Sequence, residues 1–91
     1  MIVRAVIVVA GTVQGVYYRY STKRQADGLG LKGTVKNLPD GTVGIVCEGE
    51  EKDLQNLIDW CKKGPRGAHV ERIDVKWETP SRAFSDFSIL Y

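Results

Sequence analysis

The pattern of hydrophobic and polar residues along the chain predicts five strands. β-Branched and apolar residues fill both faces of the first segment, which is typical of a strand inside a sheet. Three of the other four segments show apolar residues at alternate positions, as expected for strands with one buried face, and the remaining segment, 33–38, is the first arm of a hairpin. The predicted strands cover residues 2–10, 33–38, 42–48, 69–78 and 84–91.

Two further segments have helical periodicity and predict helices over about residues 18–29 and 51–63. Each has apolar or small residues that recur on one side of a helix. These residues are Tyr18, Thr22, Ala26 and Leu29 in the first helix, and Leu54, Leu57, Ile58 and Cys61 in the second. Glycines around the end of the first helix, and Gly64-Pro65 after the second, are typical helix stops.

The order of these elements is β-α-β-β-α-β followed by a short fifth strand. A turn at residues 39–41, Pro-Asp-Gly, joins the second and third strands into a hairpin. This order predicts an α+β fold of the ferredoxin-like type. In that fold a mainly antiparallel sheet carries both helices on one face and leaves the other face partly solvated.

Length and charge exclude several classes of protein. A chain of 91 residues predicts one domain over residues 1–91, with a modest core. No apolar run reaches the ~18 residues of a membrane span, and no signal peptide is recognisable, so we expect no membrane association. A net charge of +2 is too small to predict nucleic-acid binding, although it suits a small anionic substrate.

The chain has two cysteines and one histidine, which are too few for a disulfide framework or a His-based zinc site. We therefore expect no metal and no cofactor. Cys47 and Cys61 fall on predicted core-facing stripes, where we expect free thiols, with a disulfide between them as the less favoured alternative. This cysteine usage predicts the reducing cytoplasm.

The segment from Gly11 to Arg19 is the strongest candidate for chemistry, because a strand there gives way to a glycine-containing loop and then to a helix. Amides at a helix start lack internal partners and lie at the positive end of the dipole, so they bind phosphate. Gly15 lets the backbone approach an anion closely. Arg19 can offer two parallel N–H donors to phosphoryl oxygens. The structural alternative is a tight turn followed by a surface arginine.

Residues 11–19, Gly-Thr-Val-Gln-Gly-Val-Tyr-Tyr-Arg, resemble the first signature of the acylphosphatase family, Gly-x-Val-Gln-Gly-Val-x-aromatic-Arg. Residues 33–43 resemble the second signature, with its Gly, Val, Asn, Asp-Gly and Val all in place. A weaker third likeness lies at residues 64–70. The resemblance therefore extends over essentially the whole chain and implies the same ferredoxin-like fold.

The resemblance implies the hydrolysis of small-molecule acyl phosphates to a carboxylate and inorganic phosphate. Arg19 matches the phosphate-binding arginine of the family, and Asn37 matches its water-positioning asparagine. The backbone amides that match the phosphate cradle belong to Gln14, Gly15, Val16, Tyr17, Tyr18 and Arg19. The variable position of the signature holds a bulky tyrosine, so selectivity among acyl phosphates is expected to depend on the loop around Tyr17 and the turn near Leu38.

Such a reaction needs few catalytic groups. The leaving carboxylate has a conjugate acid with a pKa of about 4, so it departs as an anion without a general acid. Phosphoryl transfer depends mainly on positioning and charge stabilisation. We expect His69 to be a loop or strand-start residue and Tyr91 to face the core. Trp60 and Trp77 are expected to be packing or partly exposed aromatics and not ligand platforms.

Two other functions remain open on the sequence. One is an RNA-recognition-like module with the same element order, which reads bases with strand aromatics. The third predicted strand, residues 42–48, has neither an aromatic nor a basic residue, which argues against it. The other is a catalytically silent anion-binding relative. The signatures also occur at the front of larger hydrogenase-maturation carbamoyltransferases, but 91 residues without zinc-binding cysteines favour a stand-alone enzyme. A monomer is the default expectation.

Overall fold

In the computed structural model, which describes residues 1–91, all seven predicted elements occur in the predicted order. They are β1 (Ile2–Thr12), α1 (Tyr18–Gly28), β2 (Lys32–Asn37), β3 (Val43–Glu50), α2 (Glu51–Cys61), β4 (His69–Glu78) and β5 (Phe87–Leu90).

The five strands form one sheet in the order β4-β1-β3-β2-β5. All neighbouring pairs are antiparallel except β2 and β5, which are parallel. The register of the strands places one apolar residue from every strand in a single row across the sheet. The row consists of Val75, Ile7, Ile45, Val35 and Ile89. The predicted ferredoxin-like α+β class is confirmed.

The core lies between one face of the sheet and the two helices, which contact each other as well as the strands. The predicted helical stripes are buried, apart from the half-buried Leu29 at the end of α1. Cys47 and Cys61 are buried free thiols. Burial raises the pKa of both thiols to about 12, so both stay protonated and unreactive at neutral pH. Neither helix is long and apolar enough to cross a bilayer.

Most element boundaries differ from the prediction by one to three residues, as at the ends of β1 and β5. β1 continues to Thr12 because a bulge between Ala10 and Gly11 lets it stay paired with β4. β5 begins at Phe87 instead of residue 84. The prediction of a core-facing Tyr91 is wrong, since Tyr91 is 97% exposed. It follows Leu90, the last paired residue of an edge strand, so the pleat of the sheet no longer directs its side chain inward.

Glu48 on β3 is an acidic side chain buried to 5% exposure, and it fastens the segment before β5. Its carboxylate accepts hydrogen bonds from the backbone N–H and hydroxyl of Ser81, from the N–H of Arg82 and from the guanidinium of Arg4. Burial alone would raise the pKa of Glu48, but these hydrogen bonds outweigh it and lower the pKa to about 2.

We expect Glu48→Gln to lower the free energy of unfolding at pH 7 by about 2 kcal/mol, since the amide cannot accept all four hydrogen bonds in a buried position. Because the folded pKa of Glu48 lies below its unfolded value, its contribution is full above about pH 5 and is lost as the pH falls toward about 2. Urea denaturation between pH 7 and pH 2 measures both effects. The difference between wild type and variant should shrink over that range, with the exposed Glu71→Gln as control. A difference that is independent of pH would contradict this role.

Candidate active site

The loop between β1 and α1 has an alternating backbone conformation. Gly15 has φ 77° and Tyr17 has φ 63°, whereas Val16 between them is not in the positive-φ region. Such alternation turns successive N–H groups toward one concave side, as in anion-binding nests. Gly15 adopts its conformation without strain, because it has no Cβ atom.

The amides of this loop are free to bind a ligand. None of the backbone hydrogen bonds outside the helices and strands is donated by an amide of residues 14–19. Those residues also include the first turn of α1, where the helix dipole contributes a partial positive charge. The predicted cradle is therefore a row of unpartnered donors at a helix N-terminus.

Arg19 lies in the first turn of α1, and its side chain contacts the C-terminal end of β5 and the residue that follows it. Its Nη1 donates to the carbonyl oxygen of Leu90 at 3.4 Å, and its guanidinium carbon lies 4.9 Å from the ring centre of Tyr91. No carboxylate lies within ion-pair distance of it. Its positive charge is therefore available to an anion in the cavity.

Asn37 is the last residue of β2 and lies opposite Val43 on β3. Its side chain is half-buried and makes no hydrogen bond within the chain. It lines the same cavity of about 370 Å³ as Gly15 and Arg19. The complete lining consists of Val13, Gly15, Tyr17, Tyr18, Arg19, Tyr20, Asn37, Ile89 and Tyr91. Two residues of the predicted cradle, Gln14 and Val16, do not line it.

Gln14 has a structural role that the sequence reasoning missed. Its side-chain Nε2 donates to the carbonyl oxygens of Leu38 and Thr42, both at 2.9 Å. Thr42 in turn donates from its N–H and its hydroxyl to Asp40, and these hydrogen bonds keep the pKa of Asp40 below its usual value. Gln14 therefore ties the amide loop to the turn that immediately follows Asn37.

Tyr18 anchors the start of α1 to α2. It is buried, its hydroxyl donates to the carbonyl oxygen of Cys61 at 2.7 Å, and its ring packs 5.5 Å from that of Trp60. Burial raises the pKa of this phenol far above its usual value, so it remains a neutral donor. His69, in contrast, is exposed at the start of β4 opposite Thr12 and does not line the cavity.

The fold and this cavity define a ferredoxin-like α+β protein with a loop of unpartnered amides between its first strand and first helix. Residues 5–89 match the family described as Acylphosphatase. The chain is 45% identical over 87 residues to an acylphosphatase from Methylococcus capsulatus, covering 96% of this chain and 95% of that protein.

Solved structures agree with this assignment. The crystal structure of an acylphosphatase from Bacillus subtilis superposes with a TM-score of 0.94 at 38% identity, and each chain is covered completely. Full-length HypF, in its phosphate- and nucleotide-bound form, matches with a TM-score of 0.92 at 33% identity, over 100% of this chain and 12% of that one. The chain belongs to the acylphosphatase family, and its reaction is the hydrolysis of acyl phosphates.

Proposed function

We propose that a water molecule positioned by Asn37 attacks the phosphorus of an acyl phosphate held by Arg19 and the backbone amides of residues 14–19. The new bond joins the water oxygen to phosphorus. The bond that breaks joins phosphorus to the acyl oxygen, and its electron pair leaves with the carboxylate. One observation carries the proposal. Arg19, which has no ion-pair partner, the loop of unpartnered amides, and Asn37, whose side chain has no internal hydrogen bond, border one cavity.

Arg19 and the loop amides would stabilise the charge on the phosphoryl oxygens. The guanidinium can donate two parallel N–H bonds to two of these oxygens, and such charge-assisted bonds are about twice as strong as neutral ones. The contacts to Leu90 and Tyr91 limit the rotation of the arginine side chain before substrate arrives. Preorganised donors of this kind need no rearrangement as the transition state forms.

Asn37 suits the orientation of a neutral nucleophile. Its side chain has both a carbonyl oxygen that accepts and an amide group that donates, so it can hold a water by either. None of the side chains that line the cavity is a carboxylate or an imidazole. We therefore assign the proton of the attacking water to a phosphoryl oxygen of the substrate.

The experiment that tests this proposal compares two phosphates with different leaving groups. Benzoyl phosphate releases a carboxylate, whereas phenyl phosphate releases a phenol whose pKa is about 10, like that of tyrosine. Since no carboxylic acid or imidazole side chain lines the cavity, we expect hydrolysis of benzoyl phosphate, including in EDTA, and no detectable hydrolysis of phenyl phosphate. Equal rates for both, or loss of activity in EDTA, would contradict the proposal.

We expect Gln14→Glu to reduce kcat/KM for benzoyl phosphate by about tenfold or more, because small displacements of positioning groups are costly to rate. The substitution keeps the size of the side chain but directs a carboxylate at two carbonyl oxygens. Steady-state kinetics and urea denaturation together measure the effect. Gln25→Glu on the exposed side of α1 is the matched control. Unchanged kinetics in Gln14→Glu would show that the hydrogen bonds from Gln14 to the turn have no role in positioning the catalytic groups.

We further propose that the protein acts as a monomer in the cytoplasm. The groups assigned to catalysis, Arg19, Asn37 and the amides of the loop, lie together within a single chain. The two free buried thiols fit a reducing compartment.

A further inference from the structure

Exposed aromatic side chains are concentrated around the candidate active site. Tyr17 is 81% exposed, Tyr20 is 57% exposed and Tyr91 is 97% exposed, and all three line the same cavity as Arg19. The chain has only three other exposed large hydrophobic residues, which are Met1, Trp77 and Leu90. Clusters of exposed apolar surface commonly mark binding sites.

Tyr17 occupies a backbone position that disfavours it. Its φ of 63° and ψ of 25° lie in the left-handed region, where a side chain with a Cβ atom is strained and glycine is not. Its ring is too exposed for packing within the chain to offset that strain. Residues held in strained backbone conformations are concentrated at functional sites. The ring of Tyr17 therefore has its use in contact with a ligand.

The cavity also limits the charge of that ligand. Arg19 is the only charged residue among those that line it, and six of the nine lining residues are hydrophobic. If Arg19 binds the phosphoryl group, no second cation remains in the cavity for a carboxylate or a second phosphate. A volume of about 370 Å³ lies at the small end of the range for small-molecule sites.

We propose that Tyr17, Tyr20 and Tyr91 form the surface that receives the acyl group, and that the preferred substrates carry a single uncharged aromatic or planar apolar acyl group. The inference rests on the proposed function, because Arg19 and the loop amides fix the phosphoryl end of the substrate. The remainder of the molecule then extends from the cradle toward the rings. Tyrosine rings bind flat apolar groups by stacking and edge contacts, and each contact contributes about two- to tenfold in affinity.

The test compares kcat/KM for benzoyl phosphate and acetyl phosphate in wild type, Tyr17→Gly, Tyr17→Phe and Tyr20→Ala. The benzoyl-to-acetyl ratio cancels the intrinsic reactivity of each substrate when variants are compared. Tyr17→Gly removes the ring and relieves the strained backbone, so it is expected to fold. We expect the ratio to fall by about fivefold in Tyr17→Gly and in Tyr20→Ala. In Tyr20→Ala, which lies outside the cradle, kcat/KM for acetyl phosphate should change less than about twofold. Tyr17→Phe should retain the wild-type ratio.

Trp77→Ala, an exposed aromatic on β4 away from the cavity, is the control and should keep the wild-type ratio. An unchanged ratio in both Tyr17→Gly and Tyr20→Ala would overturn the inference while leaving the proposed function intact. An equal loss of kcat/KM toward both substrates in Tyr20→Ala would also overturn it, because the ring would then affect binding of the phosphoryl group and not of the acyl group. A folded wild-type protein that hydrolyses neither substrate would contradict the proposed function itself.

Discussion

Arg19→Ala is expected to reduce kcat/KM for benzoyl phosphate by a factor of about 10³ or more, within the range of an arginine that stabilises a transferring phosphoryl group. The guanidinium is the only positive side chain in the cavity, and no internal carboxylate competes for it. Its removal leaves only the amides to hold the anion. Competitive inhibition by inorganic phosphate should therefore weaken along with catalysis.

Two further variants test whether the loss in Arg19→Ala comes from the guanidinium group of this residue. Arg19→Lys keeps the charge but loses the planar pair of donors, so we expect it to lie between wild type and Arg19→Ala in kcat/KM. Arg24→Ala removes an exposed arginine from the same helix and should behave as wild type. If Arg19→Ala retained the phosphate inhibition of wild type, the guanidinium would not be the anion-binding group.

Asn37→Ala is expected to lower kcat by about 10²–10³-fold, as does the loss of one preorganised hydrogen-bonding group at other active sites. The inhibition constant for phosphate should change little, because Arg19 and the loop amides remain. This split between turnover and anion binding distinguishes a residue that orients water from one that holds the phosphoryl group.

The control for Asn37→Ala is Asn56→Ala, an exposed asparagine on α2 that is remote in sequence and fold from the cavity. Circular dichroism and urea denaturation verify that both variants stay folded. Near-normal turnover by a folded Asn37→Ala protein would be incompatible with water positioning by this side chain.

Periodicity alone predicts most of the fold. The apolar residues of β3 alternate with the pleat, and those of α2 recur with the helical turn, because each element must bury one face against the other. The placement of Gly15 and Arg19 at the cavity also follows from local sequence, since Gly15 lies in the strand-to-helix loop and Arg19 in the first turn of the helix. Asn37 is different, because its approach to that loop depends on the pairing of β2 with β3 and of β3 with β1.

Features that depend on distant contacts could not be predicted. The side chain of Gln14 reaches residues 24 and 28 positions away, and no local pattern encodes that reach. Glu48 holds Ser81 and Arg82 in the irregular segment before β5, although a charged residue in β3 gives no sign of its partners. Tyr91 continues the alternating sequence pattern of β5, but the pairing with β2 ends at Leu90. Beyond that residue, alternation no longer predicts which side chains are buried.

The central claim is that water attacks phosphorus and not the acyl carbon, and hydrolysis in water enriched with oxygen-18 tests it most directly. Benzoyl phosphate is hydrolysed by the wild-type protein, and both products are analysed by mass spectrometry, with uncatalysed hydrolysis in the same water as reference. Attack on phosphorus predicts one labelled oxygen in the inorganic phosphate and unlabelled benzoate. Label in the benzoate would mean that the carbon–oxygen bond is broken, and the roles assigned to Arg19 and Asn37 would be wrong.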